Sequence, residues 1–309
     1  MQITKRNDII LVANEASASL ADRIATELRI NPRRMLRKQF RDGEIYHAFP
    51  EDIAGRDLVV VGATHNDAAH QELLDILDGC HLLNAHSVNV VVPFLGYSTM
   101  EQARPGSQEI AKGISRTRQI FRANPHFVAF IDLHSEAILH AHGGGTHTVN
   151  IHTGELLAGR IREIAPPDSV LVSPDYGRSK WVARMADLLG VPHTAADKDR
   201  FAMDRTMVGQ VASVVKGKTA VICDDMIRTG GSIIQTAQRC REAGAIDVLL
   251  AATHLILAGD AREKFKAHGI ERIIGTDTYP GAESDELLDV HSVAPLVARW
   301  LTRQLRIVD

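Results

Sequence analysis

Between residues 8 and 133 the chain repeats one pattern: a short β-branched run, then a longer segment whose apolar positions recur at helical spacing. The runs are Asp8–Ala13, Asp57–Gly62, Val88–Val92 and Phe127–Leu133, and the helical segments between them are Leu20–Leu28, Gln71–Leu83 and Ile110–Phe121. Each run is nearly continuous Val, Ile and Leu rather than alternating apolar and polar. That marks strands covered on both faces, as happens when a crossover helix links each strand to a parallel neighbour. After the Gly-rich break His142–Thr146 the pattern restarts, with strands at Thr148–Ile151, Ser169–Val172, Thr219–Cys223, Ile246–Ala252 and Arg272–Gly275. Helices are expected at Gly154–Ile164, Ser179–Leu189, Ser232–Glu242 and Ala261–His268. The sequence therefore predicts an α/β protein of two domains with mainly parallel sheets, residues 1–147 and 148–309. The last helix, Val293–Leu305, is placed to return and pack on either half, the first domain included.

The length of 309 residues suits two domains at about 150 residues each. With 45% hydrophobic and 24% charged residues the chain matches a globular composition and not a disordered one. Thirty-five Lys and Arg against 38 Asp and Glu leave a net charge of -3. No general positive field exists to hold a long nucleic acid, so any anion must be bound locally. The apolar stretch near the start, Ile9–Ala13, is too short for a signal segment, and no run approaches the roughly 18 residues of a membrane helix. A cytoplasmic location without membrane partners is expected. Cys80, Cys223 and Cys240 are odd in number and lack zinc-site spacing, so they read as reduced structural thiols.

Ligands of open α/β sheets bind beyond the carboxyl ends of the strands, so polar residues directly after a strand are the candidates. The strongest is TAVICDDMIRTGGSIIQTAQRCREAG, residues 219–244. A buried strand runs into two acids, then a turn containing Thr229, Gly230, Gly231 and Ser232, then an amphipathic helix. Backbone N–H groups at such a helix start point at an anion, and the glycines permit close approach. The hydroxyls of Thr229 and Ser232 add donors, while the carboxylates of Asp224 and Asp225 suit a vicinal diol such as the 2- and 3-hydroxyls of a ribose. The cassette fits a sugar phosphate. It is not a P-loop, because Ile233 and Ile234 stand where a Lys is needed, and it lacks the GxGxxG of a dinucleotide site.

VICDDMIRTGGS resembles the phosphoribosyl diphosphate (PRPP) loop shared by type I phosphoribosyltransferases and ribose-phosphate pyrophosphokinases. Four further stretches resemble the pyrophosphokinases in particular: FRDGE at Phe40–Glu44, IDLHSE at Ile131–Glu136, LVSPDYGRSKWVAR at Leu171–Arg184 and AADKDR at Ala195–Arg200. With the VAPLVARWL tail they occur in family order over nearly the whole chain. The resemblance implies two tandem phosphoribosyltransferase-like, Rossmann-like domains, with ATP on the first and ribose 5-phosphate on the second. It also implies attack of the anomeric hydroxyl on the β-phosphorus of ATP, with Mg2+, to give PRPP and AMP. By the same resemblance Lys198 and Arg200 are the catalytic cations. Asp224, Asp225, Thr229, Gly230, Gly231 and Ser232 hold the sugar phosphate, Phe40, Asp42 and Glu44 meet ATP, His134 meets the metal, and Asp175 meets the metal or the ribose. Family members form hexamers and respond to inorganic phosphate and ADP, so a homo-oligomer is implied.

Three departures stand out. Thr99 and Met100 occupy places where the family has Arg and Gln against ATP, and Arg104, one turn further on, is the candidate substitute. Arg228 replaces a third Asp in the phosphate loop and is a candidate ion pair for the sugar 5-phosphate. Arg178 and Lys180 replace small residues after S-P-D-x-G. A phosphoribosyltransferase that consumes PRPP would need the loop but not FRDGE, DLH or KDR. A non-catalytic regulatory relative would account for the altered ATP stretch, though not for the retained Lys198 and Arg200.

Overall fold

The computed structural model describes residues 4–141, 144–196 and 214–308. The chain forms two compact units: Met1–Ile151 with Thr278–Pro280 and Ser292–Asp309, and His152–Asp277 with Gly281–His291. Among the described residues no helix is long and apolar enough to cross a membrane.

The first unit carries β1 (Thr4–Lys5), β2 (Ile9–Ala13), β3 (Leu36–Gln39), β4 (Ile45–Ala48), β5 (Asp57–Val61), β6 (Ser87–Val92), β7 (Phe127–Ile131) and β8 (His147–Ile151), with helices α1 (Ala18–Leu28), α2 (Asp67–Leu82) and α3 (Lys112–Arg122). Five strands make a parallel sheet in the order β2-β5-β6-β7-β8, each beside its successor. Alternate residues of these strands serve opposite faces. Ile10, Val12, Leu58, Val60, Val88, Val90, Val128 and Phe130 pack with Leu73, Ile76 and Leu77 of α2 and Ile120 of α3. Burying each such side chain contributes about 1.5–3 kcal/mol, which explains why runs with no polar face become strands here. The Asn66 side chain accepts the Ala69 N–H and so starts α2. Thr148–Ile151, expected to open the second half, is instead at the edge of this first sheet, paired in register with Val128–Ile131. The Gly-rich break therefore lies inside the first unit.

The second unit carries β9 (Val170–Ser173), β10 (His193–Ala195), β11 (Thr219–Ile227), β12 (Asp247–Leu255), β13 (Ile273–Thr276) and β14 (Leu288–His291), with α4 (Gly154–Ile164), α5 (Ser179–Leu189), α6 (Gly231–Glu242) and α7 (Ala261–Ala267). Its parallel sheet runs β10-β9-β11-β12-β13-β14. Leu171, Val221, Cys223, Ala251 and Ile274 pack with α4 and α5 on one face. Val170, Val172, Ala220, Ile222, Val248 and Leu250 pack with α6 and α7 on the other. The helix after β9 and the helix after β11 thus cover opposite faces, although the two strands are neighbours. This is a topological switch point, where the loops leaving adjacent strands diverge and open a crevice at their carboxyl ends.

The last helix, α8 (Ala294–Gln304), begins with Pro295 in its first turn and buries Val297, Ala298 and Leu301. It belongs to the first unit, packs on α1, and sets Trp300 edge-on to Phe127 at 4.8 Å between ring centres. β15 (Ile307–Val308) then pairs parallel with β1.

Candidate functional site

β11 leaves the core of the second unit at Cys223 and continues further than expected. Asp224 and Asp225 lie within the strand, because β12 keeps pairing beyond them at Met226 with His254 and Ile227 with Leu255. Asp225 is buried and Asp224 partly so. The Asp225 N–H donates to Asp224 Oδ1 at 2.8 Å. Burial first, then the charge of Asp225 and a smaller push from Asp175, raise the Asp224 carboxyl well above the usual range.

The loop after neighbouring β9 is tied to this pair. Ser173 Oγ donates to the Asp175 carbonyl at 2.6 Å, and the Arg178 N–H donates to Asp175 Oδ1 at 3.1 Å at the start of α5. Arg178 then places Nη2 2.6 Å from Asp225 Oδ2, with side chains only 15% and 4% exposed. Three acids and one guanidinium thus gather where β9 and β11 end.

Beyond β11, the Ile227 carbonyl accepts from Ile256 and Leu257 N–H and the Arg228 carbonyl accepts from Ala258 N–H, which pins the turn. Gly230 caps α6 with φ +78 and sits against Phe265. Arg228, Thr229, Gly231 and Ser232 are exposed around the helix start. Its first N–H groups have no partner within the helix, so the turn presents donors and a cation to an anion. All seven residues assigned to the sugar phosphate are therefore on one strand end and one turn.

The residues assigned to ATP lie in the first unit. FRDGE is the turn of an antiparallel hairpin between β3 and β4, closed by Phe40 N–H to the Glu44 carbonyl at 2.8 Å and Gly43 N–H to the Phe40 carbonyl at 3.1 Å. Phe40, Asp42 and Glu44 are exposed, and Lys38 Nζ stands 5.1 Å from the Phe40 ring centre. Arg104, also exposed, pairs with Glu109 at 3.4 Å. His134 follows β7 just after Asp132, which is buried and held at φ 38. Lys198 and Arg200 lie outside the described residues.

His134 belongs to the first unit and Asp175 to the second. Among the described residues no group of three or more His, Cys, Asp or Glu side chains is arranged to hold a metal ion. The oxygen donors suit magnesium carried mainly by substrate, since that ion takes one or two carboxylates and completes its shell with phosphates and water. The cysteines are not reactive: burial pushes Cys80 and Cys240 up to about 12 and Cys223 upward as well.

Sequence reasoning noted Arg178 as a departure but gave it no task; its partner is 47 residues away in the chain. It also passed over a surface network in the first unit. There Asp67 accepts from Tyr97 Oη at 2.9 Å and from Arg116 Nη2 at 2.8 Å, and Lys112 Nζ stands 4.0 Å from the Tyr97 ring centre. Its members are scattered from residue 67 to residue 116, so no local motif announces it.

An expected result follows for Asp224. Because its carboxyl binds protons more tightly folded than unfolded, folding stability due to this group is complete below the usual carboxylate range. It is lost as pH rises toward the raised value. Asp224→Asn should remove that loss, giving a higher thermal midpoint than the parent near pH 8 and a flatter dependence between pH 4 and pH 8. Melting curves at a series of pH values check this, and an unchanged slope would count against it.

The model of the N-terminal domain of ribose phosphate pyrophosphokinase matches residues 9–115, and that of the phosphoribosyl synthetase-associated domain matches residues 163–293. The chain is 30% identical over 304 residues to a ribose-phosphate pyrophosphokinase of Corynebacterium glutamicum, covering 96% of this chain and 92% of that protein. A ribose-phosphate pyrophosphokinase of Nostoc sp. is 32% identical over 310 residues, covering 97% and 92%. Among solved structures, the phosphoribosylpyrophosphate synthetase of Mycobacterium smegmatis superposes with a TM-score of 0.84 at 30% identity, covering 96% of this chain and 99% of that one.

Proposed function

This chain belongs to the ribose-phosphate pyrophosphokinase family, and on that premise we propose that it transfers the β,γ-diphosphoryl group of ATP to ribose 5-phosphate. The observation that carries the proposal is the switch point of the second unit. It brings an acid pair and the donor-rich start of a helix to the ends of two adjacent strands. The 5-phosphate would sit on the N–H groups of Gly231 and Ser232 with the hydroxyls of Thr229 and Ser232, and the ribose hydroxyls on Asp224 and Asp225. Held so, the anomeric hydroxyl oxygen would form a bond to the β-phosphorus of ATP and release its proton to solvent, the bond from that phosphorus to the oxygen bridging the α-phosphate would break, and AMP would leave. Protein groups in such a transfer mainly position the reactants and offset charge. Lys198 and Arg200 are assigned the second task. Magnesium carried on the substrate phosphates would supply further neutralisation, with one or two carboxylates completing its shell.

Purified protein incubated with ATP, Mg2+ and ribose 5-phosphate tests this. AMP and PRPP support it, and ADP would indicate a simple kinase instead. A second reading, a non-catalytic relative that regulates a synthetase, is favoured by Thr99 and Met100 in place of ATP contacts. Absence of turnover with retained ribose 5-phosphate binding would select it. In either case Arg228→Ala should weaken ribose 5-phosphate binding about tenfold, the loss of one charge-assisted contact, as read by calorimetry. A homo-oligomer in the cytoplasm is part of the same proposal.

A further inference from the structure

The acid cluster of the second unit already contains a cation. Asp225 is buried, so its carboxylate requires a partner, and Arg178 supplies one at 2.6 Å. The same residue fixes Asp175 through its backbone N–H, and Asp175 is near enough to raise the Asp224 carboxyl. Arg178 is thus bound to two of the three acids, from a position where the family pattern has a small residue.

We propose that Arg178 is a positioning residue that acts as the fixed cation of this site: its guanidinium takes the place beside Asp225 that a divalent cation would otherwise fill, and sugar hydroxyls bind there without one. The proposal rests on the sugar-phosphate reading of the loop. The guanidinium already takes up Oδ2 of Asp225, and a magnesium ion brought to the same buried carboxylate would be repelled by it within a poorly screened site. The guanidinium is always charged and planar and is held by the start of α5, so its position does not depend on metal concentration.

The first test uses Mn2+ as the probe, on the full chain without substrate, followed by electron paramagnetic resonance. Arg178→Ala should bind Mn2+ at least tenfold more tightly than the parent, and both Arg178→Lys and Arg178→Ala combined with Asp225→Asn should lose that gain. Thermal melts confirm that each variant is folded, and the lysine form, which keeps a cation, serves as the reference if the alanine form melts early. The second test is calorimetry with ribose 5-phosphate in EDTA and in Mg2+. The parent should change by less than about threefold between the two, while Arg178→Ala loses about tenfold in EDTA and recovers in Mg2+. Equal Mn2+ binding by parent and Arg178→Ala would overturn the proposal, as would a loss of sugar binding that Mg2+ fails to restore. Gain of Mn2+ binding with no form binding ribose 5-phosphate would support the cation role and overturn the sugar-phosphate reading instead.

Discussion

Replacing Gly230 with Val should abolish ribose 5-phosphate binding and lower stability by about 2–4 kcal/mol, the combined effect of a strained backbone and an overfilled core. Gly230 holds φ +78, a region that β-branched residues scarcely enter. A Cβ added there would stand 2.5 Å from Cζ of Phe265, which is fully buried beneath the turn and has nowhere to go. The strain is relieved only by moving the start of α6, and with it the N–H groups assigned to the phosphate. Gly231→Ala is the matched control: a Cβ there meets nothing within 4 Å and the backbone is not left-handed, so its melting temperature should equal that of the parent. Melting curves and calorimetry on both variants check the pair. Normal binding by Gly230→Val would mean that the turn does not hold the sugar phosphate.

Lys198→Ala should lower kcat by about 10²–10³ with little change in KM for either substrate, the range for losing one group that meets charge developing in the transition state. The assignment comes from AADKDR at Ala195–Arg200 and its likeness to the family's catalytic loop, with β10 leading into it at Ala195. Steady-state kinetics on AMP release reads the outcome. A rise in KM at unchanged kcat would assign Lys198 to substrate binding, and intact turnover would remove it from the reaction.

The parallel sheets were legible because DLVVV, SVNVVV and FVAFI are almost continuously apolar, which leaves a doubly covered strand as their stable state. The hairpin of β3 and β4 was not legible. LRKQ and IYHA are exposed or half-buried and lack the alternation of a sheet with one wet face, so only FRDGE between them drew attention. In the second unit the glycines and acids of the loop were readable as chemistry, since each residue type has a local use. The Arg178–Asp225 pair was not, because it joins two strand ends that become neighbours only when β11 inserts beside β9. The placement of Thr148–Ile151 failed for a related reason: a Gly-rich break looks like a boundary, whereas membership in a sheet is settled by the partner strand.

The return of α8 and β15 to the first unit governs the order in which this protein can be completed during synthesis. β1 and the surface of α1 wait for residues that leave the ribosome only after the whole second unit has emerged. Until then α1 lacks the helix that packs on it, so the first unit stays open to misassembly for as long as the second unit takes to be made.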